Sequence, residues 1–299
     1  MTAAIRFDGL TKYFGRVVGV EHLSLEVQPG EIFGFLGANG AGKTTTIRML
    51  LDLLRPTSGS ASILGLDCHR DSLQARRQIG YLPGEMPFYP ELSGAGYLAF
   101  LAAMAPTPPS PARIRELLTR FDVSDLDLAR RMREYSHGMK RKLGIVQALM
   151  GDAPVVILDE PTSGLDPLMI EAFAQTIAEL ERGGRTTVFL SSHVLSEVER
   201  MCSRIALIRR GRLAAVRTLA ELRARSPRRV TLTFTQAVAR EPRGDWAIVV
   251  REPNRWVIDV VGPLGPMLAS LSGLPVADLH VDPFALEKTV LELMDGGTS

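Results

Sequence analysis

The segment "GANGAGKT" (Gly37–Thr44) stands between the apolar run Ile32–Leu36 and a helix-like stretch from Lys43 to Leu54. That placement leaves few alternatives. Ile32–Leu36 is nearly continuous in apolar residues, as a parallel strand buried on both faces must be. Glycines in the turn let backbone N–H groups point inward as a concave nest of donors, and the following helix aims its positive end at the same spot. The segment fits G-x-x-x-x-G-K-[ST], in which the lysine serves the β- and γ-phosphates of a nucleotide and the hydroxyl ligates Mg2+. The residues expected to bind a nucleotide are therefore Gly37, Asn39, Gly40, Ala41, Gly42, Lys43, Thr44 and Thr45, with Mg2+ as a cofactor.

"PVVILDE" (Pro154–Glu160) supplies the second half. Four apolar residues carry Asp159 to the carboxyl end of a buried strand, where a carboxylate holds Mg2+ through water. Glu160 follows, placed to accept a proton from an attacking water. Alone, such a pair could merely cap a turn. Downstream of a phosphate loop, in this order, it reads as a hydrolytic site.

The surrounding pattern is α/β. "AIRF", "VVGV" and "LSLEV" read as three antiparallel strands at the start of the chain, the last alternating Leu23, Leu25 and Val27 with polar residues. Helical patterns dominate from Leu92 to Met150, broken by the turn "PTPPSP" (Pro106–Pro111). "PVVILDE" and "TTVFLSSH" (Thr186–His193) are strands, with a helix at Ile170–Arg182 between them, so βαβ units and a parallel sheet are expected. "IALIRRGRLAAV" reads as a hairpin turning at Arg210-Gly211. Beyond it, "RRVTLTF", "DWAIVV", "RWVIDVV" and "ADLHV" alternate with period two. A helix starts at Pro266, and in the last helix Leu286, Val290 and Met294 share a face. Two domains are expected, residues 1–219 and a small α+β domain at 220–299.

With 299 residues, 45% of them hydrophobic, the chain has material for more than one core. A net charge of +2 calls for no polyanionic partner. Only five of the 35 basic residues are lysines, a bias read as genome composition rather than nucleic-acid binding. Cys68 and Cys202 form no CxxC pattern, which speaks against zinc or a disulfide scaffold. The longest apolar stretch, "YLAFLAAMA", falls short of the roughly 18 residues of a membrane span. The expectation is a soluble, intracellular protein.

From about Ile5 to Val216 the chain resembles the nucleotide-binding subunit of an ATP-binding cassette (ABC) transporter. "LTKYFG" resembles the segment that lays an aromatic ring on adenine, which points to Phe14 rather than Tyr13. "YSHGMKRKLGIVQALM" (Tyr135–Met150) sits where the family carries its signature. "SGLD" (Ser163–Asp166) resembles the D-loop, and His193 the switch histidine. The resemblance implies a P-loop cassette with a mixed sheet, an antiparallel N-terminal subdomain and a helical subdomain at about 85–150. It also implies a head-to-tail dimer, homodimeric or with a paralogous cassette. In it, Ser136 and the N–H of Gly138 donate to ATP held by the partner, and Asp166 lies beside the same site. Glu160, His193 and Lys43 become the catalytic set.

Two departures stand out. The signature has Tyr135, His137 and Met139 where the family usually has Leu, Gly and Gln, yet keeps Ser136 and Gly138. In "IGYLPGEMPFYP" (Ile79–Pro90), Gly84 takes the place of a glutamine that touches Mg2+ and water, leaving Glu85 or solvent to fill that role. The resemblance also places the docking of a separate polytopic membrane subunit near Met86–Pro90, which puts the protein at the cytoplasmic face of the membrane. The lone cassette and appended C-terminal domain resemble the daunorubicin-type drug-export branch. Two rival readings are a soluble ABC ATPase acting on ribosomes or DNA, and an ATP-gated clamp that does not hydrolyse. The first usually carries two cassettes or a long insertion, and here 93 positions separate Lys43 from Ser136. Glu160 argues against the second.

Overall fold

The computed structural model describes residues 2–86, 89–238, 244, 246–284 and 286–294. These form two compact units that divide between Val216 and Arg217, against the expected boundary at residue 219. Pro87, Phe88 and Asp245, which belong to segments singled out above, lie outside the described residues.

The first unit opens with β1 (Ile5–Phe14) and β2 (Val17–Val27), an antiparallel pair, followed by β3 (Ile32–Leu36). The two strands expected at "VVGV" and "LSLEV" are one. His22 sits between them at φ 50°, and the β1–β2 register shifts locally without ending the strand. Helix α1 (Lys43–Leu50) is shorter than expected, because Asp52 turns left-handed at φ 53° and the N–H groups of Leu53 and Leu54 fold back onto the Arg48 carbonyl. β4 (Ser58–Ile63) and β5 (Leu66–Asp67) complete a four-stranded sheet in the order β2-β1-β4-β5.

Then come α2 (Ser72–Arg76), β6 (Ile79–Leu82), α3 (Gly94–Met104), α4 (Pro111–Arg120), α5 (Asp125–Ala129) and α6 (His137–Leu149). Their starts are written locally. Ser93, Ser124 and Ser136 each accept an N–H of the first turn, and Pro111 opens α4 at its first position. β7 (Val155–Asp159), α7 (Pro167–Gly183), β8 (Thr187–Ser192) and α8 (Leu195–Met201) follow. The hairpin of β9 (Arg204–Arg209) and β10 (Arg212–Thr218) turns at Arg210 (φ 49°) and Gly211 (φ 80°).

The central sheet runs β10-β9-β3-β8-β7-β6, and β9, β3, β8, β7 and β6 are mutually parallel. Every residue of β3, β7 and β8 is buried, which accounts for their apolar runs, and the polar residues Asp159, Ser191 and Ser192 come at the carboxyl ends of β7 and β8. Phe189 on β8 anchors the core. Its ring centroid lies 6.0 Å from that of Phe33, 5.3 Å from Phe35 and 6.1 Å from Phe7 on the other sheet. Burial of these rings locks the phosphate-loop strand to its neighbour.

The second unit begins with α9 (Leu219–Arg225), capped by a reciprocal Thr218–Glu221 box. It continues through β11 (Arg228–Phe234), β12 (Trp246–Glu252), β13 (Arg255–Val260), α10 (Gly265–Ser270), β14 (Val276–Phe284) and α11 (Leu286–Met294). The strands form an antiparallel sheet ordered β12-β13-β11-β14. One face buries Val230, Leu232, Trp256, Ile258 and Val260 against Met267 and Leu271. The Ser226 and Thr289 hydroxyls, 2.8 Å apart and buried, join α9 to α11.

Candidate nucleotide site

β3 delivers the chain to Gly37, whose N–H donates to the Ser192 carbonyl at the end of β8 (3.2 Å). The loop then turns through left-handed glycines at Gly40 (φ 77°) and Gly42 (φ 109°). At Gly42 no other residue fits, because a Cβ would press to 2.6 Å from the Gly19 carbonyl. Gly42 is the N-cap of α1, whose first N–H groups lack partners within the helix and whose first turn holds no acidic residue. The helix start is thus a cationic cradle with no acidic residue of its own first turn to fill it.

Lys43 is only 5% exposed. Its ammonium donates to the carbonyls of Gly37 (2.7 Å) and Ala38 (3.2 Å) and lies 3.1 Å from Oε1 of Glu160. Asp159, at the end of β7, is fully buried. Its Oδ1 accepts from the Ser191 hydroxyl at 2.5 Å, while Oδ2 has no hydrogen-bond partner among the described residues. A buried carboxylate oxygen left over in this way suits a hydrated cation. Gly84 borders that oxygen, and a Cβ there would stand 3.2 Å from it.

Glu160 adopts φ 52°, an uncommon conformation for a side chain of its length. The Ser191 carbonyl accepts its N–H at 3.1 Å, and its Oε2 lies 2.5 Å from Nδ1 of His193. Glu160 thus bridges Lys43 and His193. These groups face a cavity of about 510 Å3 that Phe14, Val17, Val18, Gly19, Asn39, Gly40, Gly42, Thr44, Thr45 and Ser163 also line. Phe14 is half exposed at its edge, with the Lys12 ammonium 5.5 Å from its ring centroid. Tyr13 is occupied elsewhere: its hydroxyl donates to Glu21 at 2.6 Å, which lowers the Glu21 carboxyl below its ordinary range.

Residues 20–163 match the family model for ABC transporters. The bacitracin transport ATP-binding protein of Bacillus licheniformis is 38% identical over 213 residues, covering 71% of this chain and 69% of that protein. The chain belongs to the ABC transporter family. A daunorubicin resistance ATP-binding protein of Streptomyces coeruleorubidus is 38% identical over 223 residues, 74% of this chain and 70% of its own. Among solved structures, a dimeric ATP-binding cassette in a post-hydrolysis state, bound to ADP and phosphate, matches with a TM-score of 0.65. It covers 72% of this chain and 98% of that one at 21% identity, a likeness of fold. ABC ATPases bind ATP, and the matched residues include the phosphate loop.

Within this ABC chain, Ser136, Gly138 and Asp166 do not line the cavity. Ser136 caps α6 by accepting the Met139 N–H (3.2 Å), and Asp166 caps α7 by accepting that of Met169 (3.0 Å). The segments expected to be the signature and the D-loop touch each other: a Cβ at Gly138 would press to 2.8 Å from the Gly164 carbonyl, and the His137 ring covers Gly164. Gly37 and Ala41, also expected to bind the nucleotide, are not among the lining residues. Glu85 is exposed and is not among the lining residues, so it stands apart from the place left by Gly84. No helix among the described residues is long and apolar enough to cross a membrane.

Sequence reasoning passed over Ser191, which orders Asp159, and Ser163, Val17, Val18 and Gly19, which line the cavity. It also passed over Arg141. The signal for Ser191 was present, since "SS" closes an otherwise apolar strand. Burial pushes the Arg141 guanidinium below the ordinary arginine range, opposed by Asp159 and Glu160. Tyr81 is pushed up to about 12 by its own burial and by Asp159.

Proposed function

We propose that this chain hydrolyses ATP between two copies of itself, or with a paralogous cassette, and drives a separate membrane protein that exports drug-like compounds. One observation carries the reading. Lys43, Glu160 and His193 form a continuous polar chain beside a buried aspartate, inside a cavity that the phosphate loop and Phe14 also line. The signature serine lies outside that cavity in the same chain, which supports its acting on the partner's site.

Thr44 and, through water, Asp159 would hold Mg2+, whose charge offsets that of the phosphates. Lys43 exchanges its carbonyl partners for phosphate oxygens. Glu160 orients the attacking water and accepts its proton, and His193 fixes the Glu160 carboxylate while reaching toward the γ-phosphate. Gly84 offers no side chain and Glu85 stands outside the cavity, so neither would hold the Mg2+ and solvent would take that role. Ser136 and Gly138 of one copy donate to the triphosphate of the other.

The relatives named for bacitracin transport and daunorubicin resistance support export of antibiotics. Tyr89, 53% exposed and edge-on to Phe100 at 5.2 Å, offers an aromatic anchor for the membrane subunit. Met86, expected to share that surface, instead packs inward on Gly144 of α6. Peripheral attachment at the cytoplasmic face follows from this role, with no nucleic-acid partner.

Glu160→Gln tests the reading. It should cut turnover by at least about 10²-fold while ATP still binds and drives dimerisation. A variant that remains monomeric at saturating ATP, or turns over at the parental rate, overturns the mechanism.

A further inference from the structure

We propose that Arg141 is a positioning residue for hydrolysis: its guanidinium ties the helix that begins at Ser136 to the backbone carrying Glu160, and so holds the base in register. The inference rests on the hydrolytic reading above. Arg141 lies on α6, five residues past its serine cap, and is 1% exposed. Nη1 donates to the carbonyls of Pro83 (2.7 Å) and Gly84 (3.3 Å). Nη2 donates to the carbonyls of Asp159 (3.0 Å) and Glu160. One planar group therefore grips two backbone segments that converge on the cavity, a geometry a guanidinium fork allows and an ammonium does not.

Its grip on Glu160 matters because of that residue's backbone. A non-glycine residue at positive φ persists only when its surroundings over-determine it. Here the Ser191 carbonyl holds the Glu160 N–H, and Arg141 holds its carbonyl. The Glu160 side chain is aimed by this pinned backbone. Gly84, with no side chain, has only its backbone carbonyl to offer as a handle, and Arg141 takes it. The same helix starts at the serine assigned to the partner's triphosphate, about 7.5 Å away along its axis. A shift of α6 when Ser136 meets that triphosphate would be transmitted through Arg141 to the base of its own chain.

The experiment is a double-mutant cycle on the full chain, read as single-turnover hydrolysis of Mg-ATP, with ATP Kd and thermal midpoint measured for each variant. Arg141→Lys should lower the rate at least about tenfold, since misplacement of reacting groups by an ångström is enough for such losses, while ATP Kd stays within about twofold. In the Glu160→Gln background the same substitution should change the rate by less than about twofold, because the group it positions is gone. Equal losses in both backgrounds, or an undiminished rate in Arg141→Lys, overturn the inference while leaving the hydrolytic reading intact. A fully active Glu160→Gln overturns both. Should Arg141→Lys fail to fold, Arg141→Gln enters the same cycle under the same criteria.

Discussion

Ser191 fixes the orientation of a buried aspartate. Its hydroxyl occupies one Asp159 oxygen and leaves the other facing Gly84. Ser191→Ala removes a donor from a buried carboxylate, a loss of about 1–3 kcal/mol of stability. It should also raise the Mg2+ concentration needed for half-maximal turnover, checked by thermal denaturation and a Mg2+ titration of ATPase rate. Glu85→Ala, by contrast, removes an exposed side chain and should leave turnover within about twofold of the parent in a steady-state assay. Lys43, Asp159 and Glu160 were legible because a short local pattern suffices to specify them. Arg141 was not. Within "KRK" it reads as part of a solvated basic face, and only packing of α6 against β6 and β7 reveals that it is fully enclosed.

Under the proposed function helix α6 would carry two duties at one residue, because Ser136, its N-cap, is also the serine assigned to the partner's triphosphate. The duties separate by substitution. Ser136→Ala loses the cap, about 1 kcal/mol, together with turnover. Ser136→Asp keeps a good cap and the thermal midpoint, yet brings a negative charge to a phosphate-facing position, so turnover should fall all the same. Parental turnover in the aspartate variant would confine Ser136 to capping. Elements of this kind were readable from period and caps. The fusion of two expected strands into β2 was not, because a single left-handed residue, His22, bends the ladder without ending it. The polar, serine-rich β4 also escaped, since it pairs with β1 far back along the chain, and the two-residue β5 is too short to show a period.

For the whole molecule, ligand linkage gives the plainest readout. Mg-ATP at about a hundred times its Kd should stabilise Glu160→Gln by about 2.7 kcal/mol, visible as a rise in thermal midpoint. Chelation of Mg2+ by EDTA should shrink that rise, because Asp159 then gains no cation. A midpoint insensitive to EDTA would remove Asp159 from metal binding. Tyr89→Ala should preserve ATPase activity of the isolated protein and weaken co-purification with the proposed membrane subunit, so that the proposed docking surface can be tested apart from hydrolysis.

Lys43 already has three oxygen neighbours within its own chain, two carbonyls and the Glu160 carboxylate. Entry of a triphosphate is therefore a partner swap rather than a simple addition. An anion too small or too weakly charged to satisfy the lysine better than those three will find little to gain. The loop thereby screens its guests by how many contacts they can replace at once, and the Glu160 carboxylate, the one charged contact among the three, guards the door.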